Sequence, residues 1–229
     1  TKRDIAQGIV PNPDKINSRN IKRFSEHILK SRKLSVGNGV FVLKATEQAQ
    51  IAKNEHGYLR RLYEPTHIEK YRLEETDLAI LYTKAGSFAP EKNPSIVAHL
   101  KRFKEVMEER RENKSERIAF YNLHWPRNEA TFEAGEKILA PRKCAMPTFY
   151  YTNEPAYVML AVNVLHTSQL DMRYLSGLLN SSTIRFWLRY KGKMQGSNYQ
   201  LDGDPLQEIP LAKPSKEAQG TIGTLVDLL

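Results

Sequence analysis

Lys137-Ile138-Leu139-Ala140, then Phe149-Tyr150-Tyr151-Thr152, then Tyr157-Val158-Met159-Leu160-Ala161-Val162-Asn163-Val164-Leu165 is the part of the chain that decides its fold. Each run is rich in apolar, aromatic or β-branched side chains and is bounded by Pro- or Gly-bearing turns, the pattern of consecutive buried strands. Shorter runs at 78–83, 117–123 and 206–211 have the same character. Together they predict one sheet-rich core.

Outward from this core the period changes. Residues 170–180 and 183–190 read as two helices broken around Asn180-Ser181-Ser182, whose side chains compete for backbone hydrogen bonds and cap the second helix. A further helix starts at 215–229, with an apolar face that has no obvious partner. Upstream, Asn93-Pro94-Ser95 marks a helix start, with Asn93 as cap and Ile96, Leu100, Phe103 and Met107 as the buried stripe of one long helix through Arg117. From Arg19, the positions Ile21, Phe24, Ile28 and Leu29 predict a basic amphipathic helix. Residues 34–36 and 40–43 flank Gly37-Asn38-Gly39 and predict a β-hairpin. The expected class is therefore α+β: a sheet-rich core with several flanking helices.

The 229 residues, 40% apolar and 9% aromatic, suffice for one large domain or two small ones and exclude general disorder. The longest apolar stretch, 157–165, is far shorter than the roughly 20 residues a bilayer crossing needs, so no membrane partner is expected. The chain starts at Thr1 without an initiator Met or a charged-then-apolar leader, and we expect a segment of a longer protein. The lone Cys144 rules out an internal disulfide and a cysteine-built zinc site, and fits a reducing cytoplasm.

Net charge is +9, from 35 basic and 26 acidic residues, and it is unevenly spread. Residues 1–60 carry 12 basic and 5 acidic side chains, and a second excess runs from Arg185 through Arg189, Lys191 and Lys193 with no acid between them. Two cationic segments separated by neutral protein point to a polyanion. The N-terminal segment offers Lys15, Arg19, Lys22 and Arg23 as phosphate contacts. Aromatic residues (Tyr121, His124, Trp125, Tyr150, Tyr151, Trp187, Tyr190, Tyr199) lie near Arg127, Arg142, Lys143, Arg189 and Lys191 in sequence, a mixture suited to stacking and phosphate contact. Trp187 is expected to pack, as is Trp125, which should anchor a strand end in the core while Arg127 projects. Residues 191–199 read as a loop that a polyanionic partner can approach closely. Lys191 and Lys193 would meet phosphates, its glycines permit close approach, Ser197 sits beside them, and Gln195 and Asn198 carry the amide geometry that pairs with adenine.

No catalytic fingerprint is present: no Gly-rich phosphate loop, G-x-G-x-x-G, H-E-x-x-H or G-x-S-x-G occurs. The six histidines lack metal-ligand spacing, and Glu133, Glu136 and Lys137 do not amount to a nuclease site. No catalytic or metal-binding residue is expected in this chain.

The order Asn93-Pro94-x-Ile96-x-x-His99-Leu100-x-x-Phe103-Lys104, Glu109-Arg110-Arg111-Glu112, Leu123-His124-Trp125-Pro126-Arg127 resembles the TaqI-like C-terminal specificity domain of bacterial N6-adenine DNA methyltransferases and fused type II restriction-modification enzymes. Phe132-Glu133, 137–142, Phe149-Tyr150, Leu178-Leu179-Asn180-Ser181, Lys191-Gly192-Lys193, Gly196 and Ile209-Pro210 continue it, and Gln7-Gly8-Ile9 with 39–42 carries it to the N-terminus. The resemblance implies that residues 1–229 form a target-recognition domain that grips duplex DNA and selects the adenine methylated by a catalytic domain in cis. The methylation motif, Asp or Asn followed by Pro-Pro and an aromatic, is absent, and neither Asn12-Pro13-Asp14 nor Asn93-Pro94-Ser95 replaces it. S-adenosylmethionine is thus expected for the parent protein, with no cofactor in this chain, and the resemblance extends to parents that cleave DNA as well as methylate it. The competing readings are an independent nuclease or other DNA-processing enzyme, and a structural RNA-binding module.

Overall fold

A computed structural model describes residues 4–115 and 117–229, without the side chains of Arg111 and Glu112. The chain is mixed α+β and divides into two compact units, one made of residues up to Gly8, Tyr63–Thr76 and Arg127–Leu229, the other of Ile9–Leu62 and Asp77–Pro126.

In the first unit the three predicted strand runs form a sheet. Its antiparallel order is Ile5–Gln7, Val162–Leu165, Lys137–Pro141, Tyr150–Thr152, with Val164 opposite Leu139 and Tyr150 opposite Leu139 on the other side. Every residue of the two central strands is buried, which is why they read as continuous apolar runs. The 157–165 run is interrupted: Tyr157–Val158 and Val162–Leu165 are separate strands joined by a turn in which Val162 N–H donates to Met159 O.

Ile138, Ala140, Phe149 and Leu165 pack against the helices Met172–Leu179 and Ser182–Tyr190, with Leu201, Leu206 and Ile209 closing the cluster. The break between those helices works as the sequence predicts. Ser181 Oγ accepts from Ile184 N–H, while the Asn180 amide accepts from Phe149 N–H at 3.1 Å and donates to Phe149 O at 2.7 Å. The helix Lys216–Asp227 also forms, and its partner is Met172–Leu179. The helices meet at Gly177, where an added Cβ would lie 3.0 Å from Val226 Cγ2. Arg173 ties them with an ion pair to Asp227, and pairs within its own helix with the N-cap Asp171. One predicted strand is corrected here: 206–211 begins in the helix Gly203–Gln207, whose Gly-Asp-Pro opening suits a first helical turn, and continues without a strand.

The second unit is built around Ala79–Leu81, a fully buried strand lying between Val42–Leu43 and Leu59–Tyr63. Five expectations change here. The 34–43 hairpin does not form because residues 14–16 occupy that edge: Lys15 bridges Gly39, Ile16 exchanges bonds with Gly37 and Asn38, and Asp14 O accepts from Val40, Phe41 and Val42 N–H. Gly39 has no room for a side chain, since an added Cβ would collide with Val42 O and the Glu47 carboxylate. The basic helix spans only Glu26–Arg32; Ser25 Oγ caps it, and Asn20–Arg23 is a separate 3-10 turn. The long helix is three pieces, Pro94–Lys101, Lys104–Met107 and Arg111–Lys114. Residues 117–123 form no strand; they are gathered by buried Arg110, which donates to Asn122 O (3.0 Å) and Phe120 O (2.8 Å). Asn93 flanks its helix but does not cap it, because its amide donates to Ala89 O; the buried Glu55 carboxylate instead accepts from Ser95 and Ile96 N–H.

Candidate nucleic-acid interface

The stretch 191–199, expected as a loop, is a β-ribbon. Lys193–Gln195 and Asn198–Gln200 pair antiparallel, and Lys143–Cys144 adds a third strand against Asn198–Gln200. Gly196 has φ +62°, whereas Ser197 is not among the positive-φ residues, so the two-residue turn is of the II′ kind that requires glycine first. The Gln-Gly-Ser-Asn string carried that signal, but the surrounding Lys, Gly and Gln residues hide strand periodicity.

Register sorts the side chains. Lys193 lies opposite Gln200, Gln195 opposite Asn198, and Gln200 opposite Lys143. Opposed residues share a face, and alternate residues return to it. Lys193, Gln195, Asn198, Gln200 and Lys143 therefore line one face, with Gly196 and Ser197 exposed at the tip. Met194, Tyr199 and Cys144 take the other face, and Tyr199 and Cys144 pack against the core cluster. Burial pushes the Cys144 thiol up to about 11.

Asp202 anchors the ribbon's base. Its carboxylate accepts from Arg142 Nη2 at 2.8 Å, Gln200 Nε2 at 2.6 Å and Lys193 Nζ at 3.4 Å. Burial alone would raise its pKa, but the Arg142 bond and charge, with Lys193, outweigh that and hold it below the usual value. Arg142 also donates to Leu160 O, so its guanidinium is engaged within the unit. Arg127 is engaged too: it sits at φ +66° and donates to Gly8 O and Gln7 Oε1. Lys191 is exposed at the C-cap of Ser182–Tyr190. On that helix Ile184 and Leu188 are buried and Trp187 packs on the core as expected, while Phe186 and Tyr190 are exposed.

In the second unit Lys15, Arg19 and Lys22 are exposed and meet no acid among the described residues, whereas Arg23 pairs with Glu109. Trp125 departs from expectation: its backbone bridges Val10, but its ring is 50% exposed and lies against His124. His99 is packed, as expected, with Nε2 3.0 Å from Val40 O, and burial lowers its pKa. Lys137 is buried and donates to the Gly135 and Glu154 carbonyls, and no metal-binding cluster occurs among the described residues.

No family model matches the sequence, and no curated protein does. Solved structures do match. The chain superposes on the type IIL restriction-modification enzyme MmeI, solved in complex with DNA, with a TM-score of 0.64 at 15% identity over 98% of this chain. The fold is shared with restriction-modification enzymes. The type IIG restriction endonuclease BpuSI matches over 99% of this chain with a TM-score of 0.53 and 13% identity. This chain spans about a quarter of either enzyme, 27% and 25% of their lengths.

Proposed function

We propose that this chain is the DNA target-recognition domain of an adenine-specific methyltransferase or fused restriction-modification enzyme. It binds duplex DNA and selects the site for a methyltransferase domain in cis, which supplies S-adenosylmethionine chemistry that this chain lacks. The observation that carries the reading is the hairpin 193–200: a two-stranded β-ribbon fits the major groove, and the tip of this hairpin, which runs past the third strand Lys143–Cys144, sets two amides side by side with Lys193 and Lys143 on the same face. Gln195 and Asn198 read base edges, Lys143 and Lys191 meet phosphates, and Lys15, Arg19 and Lys22 supply a second cationic surface on the other unit. The likeness to MmeI supports a DNA partner, and the single cysteine accords with a reducing cytoplasm.

The test is selection of bound duplexes from a randomised pool, followed by titration against salt. Lys143→Ala with Lys191→Ala should weaken selected and random duplexes alike and lower the log-log salt slope by roughly 2, at about 0.9 counterion per contact. Gln195→Ala or Asn198→Ala should narrow the gap between selected and random duplexes by about 1–3 kcal/mol. A ratio that survives both amide changes removes base readout from the ribbon. Metal-dependent cleavage by this chain alone would favour the nuclease reading.

A further inference from the structure

The helix Ser182–Tyr190 is amphipathic, but its outward face is aromatic where a solvated face would be polar. Phe186 is 66% exposed and Tyr190 70% exposed, one helical turn apart, with ring centroids 4.7 Å apart and planes tilted by 48°. Arg185 and Arg189 lie on the same stripe, and Tyr199 of the ribbon's inner face completes an open groove with them, rimmed by the Ser182 and Thr183 hydroxyls. Two large exposed rings in contact, with no packing duty, are unusual on a solvated helix. The charge around them is one-sided: residues 172–201 contain no Asp or Glu, and neither arginine meets an acid among the described residues.

We propose that this groove is a second nucleic-acid site, which takes unstacked nucleobases on Phe186 and Tyr190 and their phosphates on Arg185 and Arg189. Base-aromatic stacking tolerates any sequence because every base has a π face, and arginine beside the rings supplies both cation and stacking plane. Paired, stacked duplex offers no free base face to such a groove. The amides of the proposed duplex reader leave the opposite face of the ribbon from Tyr199, so the two sites are separable by mutation.

The experiment is fluorescence anisotropy of the 229-residue chain with three probes: an oligothymidine of about 20 nucleotides, which exceeds a ~4–16-nucleotide groove, a perfect duplex of equal length, and that duplex with a central thymidine bulge. Phe186→Ala/Tyr190→Ala should weaken oligothymidine binding by roughly tenfold or more while leaving perfect-duplex affinity almost unchanged. Phe186→Trp, which keeps a π face, should retain binding, and Gln195→Ala/Asn198→Ala should spare oligothymidine. Both rings are exposed, so an unchanged melting temperature is expected and checks the fold. A bulged duplex that weakens with oligothymidine assigns the unstacked bases to opened duplex; one that does not assigns them to a free strand. An aromatic variant that binds oligothymidine normally overturns the site and leaves the rings to a protein partner, and equal losses on every probe overturn it too. Wild-type binding to duplex but not to oligothymidine ends this proposal alone; binding to neither ends the duplex-recognition reading with it.

Discussion

Arg142→Ala should act on stability before it acts on DNA. The guanidinium lies 2.8 Å from Asp202, and the two side chains are only 28% and 23% exposed. At an effective dielectric of about 20, unit charges ~4 Å apart attract by about 4 kcal/mol, and desolvation offsets much of this. Removing one partner of a fully buried pair costs ~3–5 kcal/mol and of a surface pair ~0–1. This half-buried pair falls between, at about 2–3 kcal/mol. Each kcal/mol moves the melting temperature of a chain this size by ~2–4 °C, so the loss should be about 4–12 °C. Trp187 fluorescence in a Trp125→Phe background reports the unit that holds the pair. The double variant Arg142→Ala/Asp202→Ala should lose clearly less than the sum of the single changes. Lys143→Ala, one residue away and exposed, should leave the transition in place and lower the salt slope of DNA binding. The reasoning is refuted if Arg142→Ala melts like the native chain but lowers that slope, because Arg142 would then be a phosphate contact.

Glu55→Gln should cost about 1–2 kcal/mol by weakening the cap on Ser95 and Ile96, measured by denaturant unfolding, whereas Asn93→Ala should leave those capping bonds intact. His99 has a lowered pKa in the folded chain, so the unfolded imidazole binds its proton first as pH falls. Stability should therefore decline as pH drops below about 6.5, and His99→Phe should flatten that part of the pH profile. Cys144, with its thiol pushed up to about 11, should react with a thiol reagent at mildly alkaline pH at least about tenfold more slowly than in the denatured chain; equal rates would show that the thiol is not shielded.

Legibility in the sequence followed the range of the interactions. The strands at 137–141, 150–152 and 162–165 and the helices at 172–179, 182–190 and 216–227 were readable because local patterning and caps point the same way as the tertiary packing. The hairpin at 34–43 was not, since Asn-Gly favours a turn but Asp14 and Ile16 claim the backbone groups that the hairpin needs. The continuous apolar stripe from Ile96 to Met107 concealed a break in the helix at 102–103. Arg110, which falls within the single long helix that the sequence predicts, instead turns inward to hold 119–122. In the candidate site the residue types were legible and their grouping was not: Gln195, Asn198 and Lys143 share a face only because of a register that no spacing in the chain reveals.

Charge was the strongest functional signal in the sequence, and the structure shows why a count of charges overstates a binding surface. Arg23 is committed to Glu109, Arg142 and Lys193 to Asp202, and Arg127 to the Gly8 carbonyl and the Gln7 amide. Guanidinium groups suit such duties because a planar fork satisfies several acceptors at once. The exposed cations that meet no acid among the described residues include Lys15, Arg19 and Lys22 on one unit and Lys143, Lys191, Arg185 and Arg189 on the other. Arg142 and Lys143, adjacent in sequence, divide the work: alternation along an extended chain turns the first inward to brace the ribbon's base and the second outward beside Gln200. The pair of amides proposed to read bases needs that brace, because hydrogen-bond discrimination is lost when the donors are free to wander by an ångström. Asp202, the first acid after 30 residues without one, is thus the support of the cationic ribbon, even though its charge would oppose the proposed DNA contact.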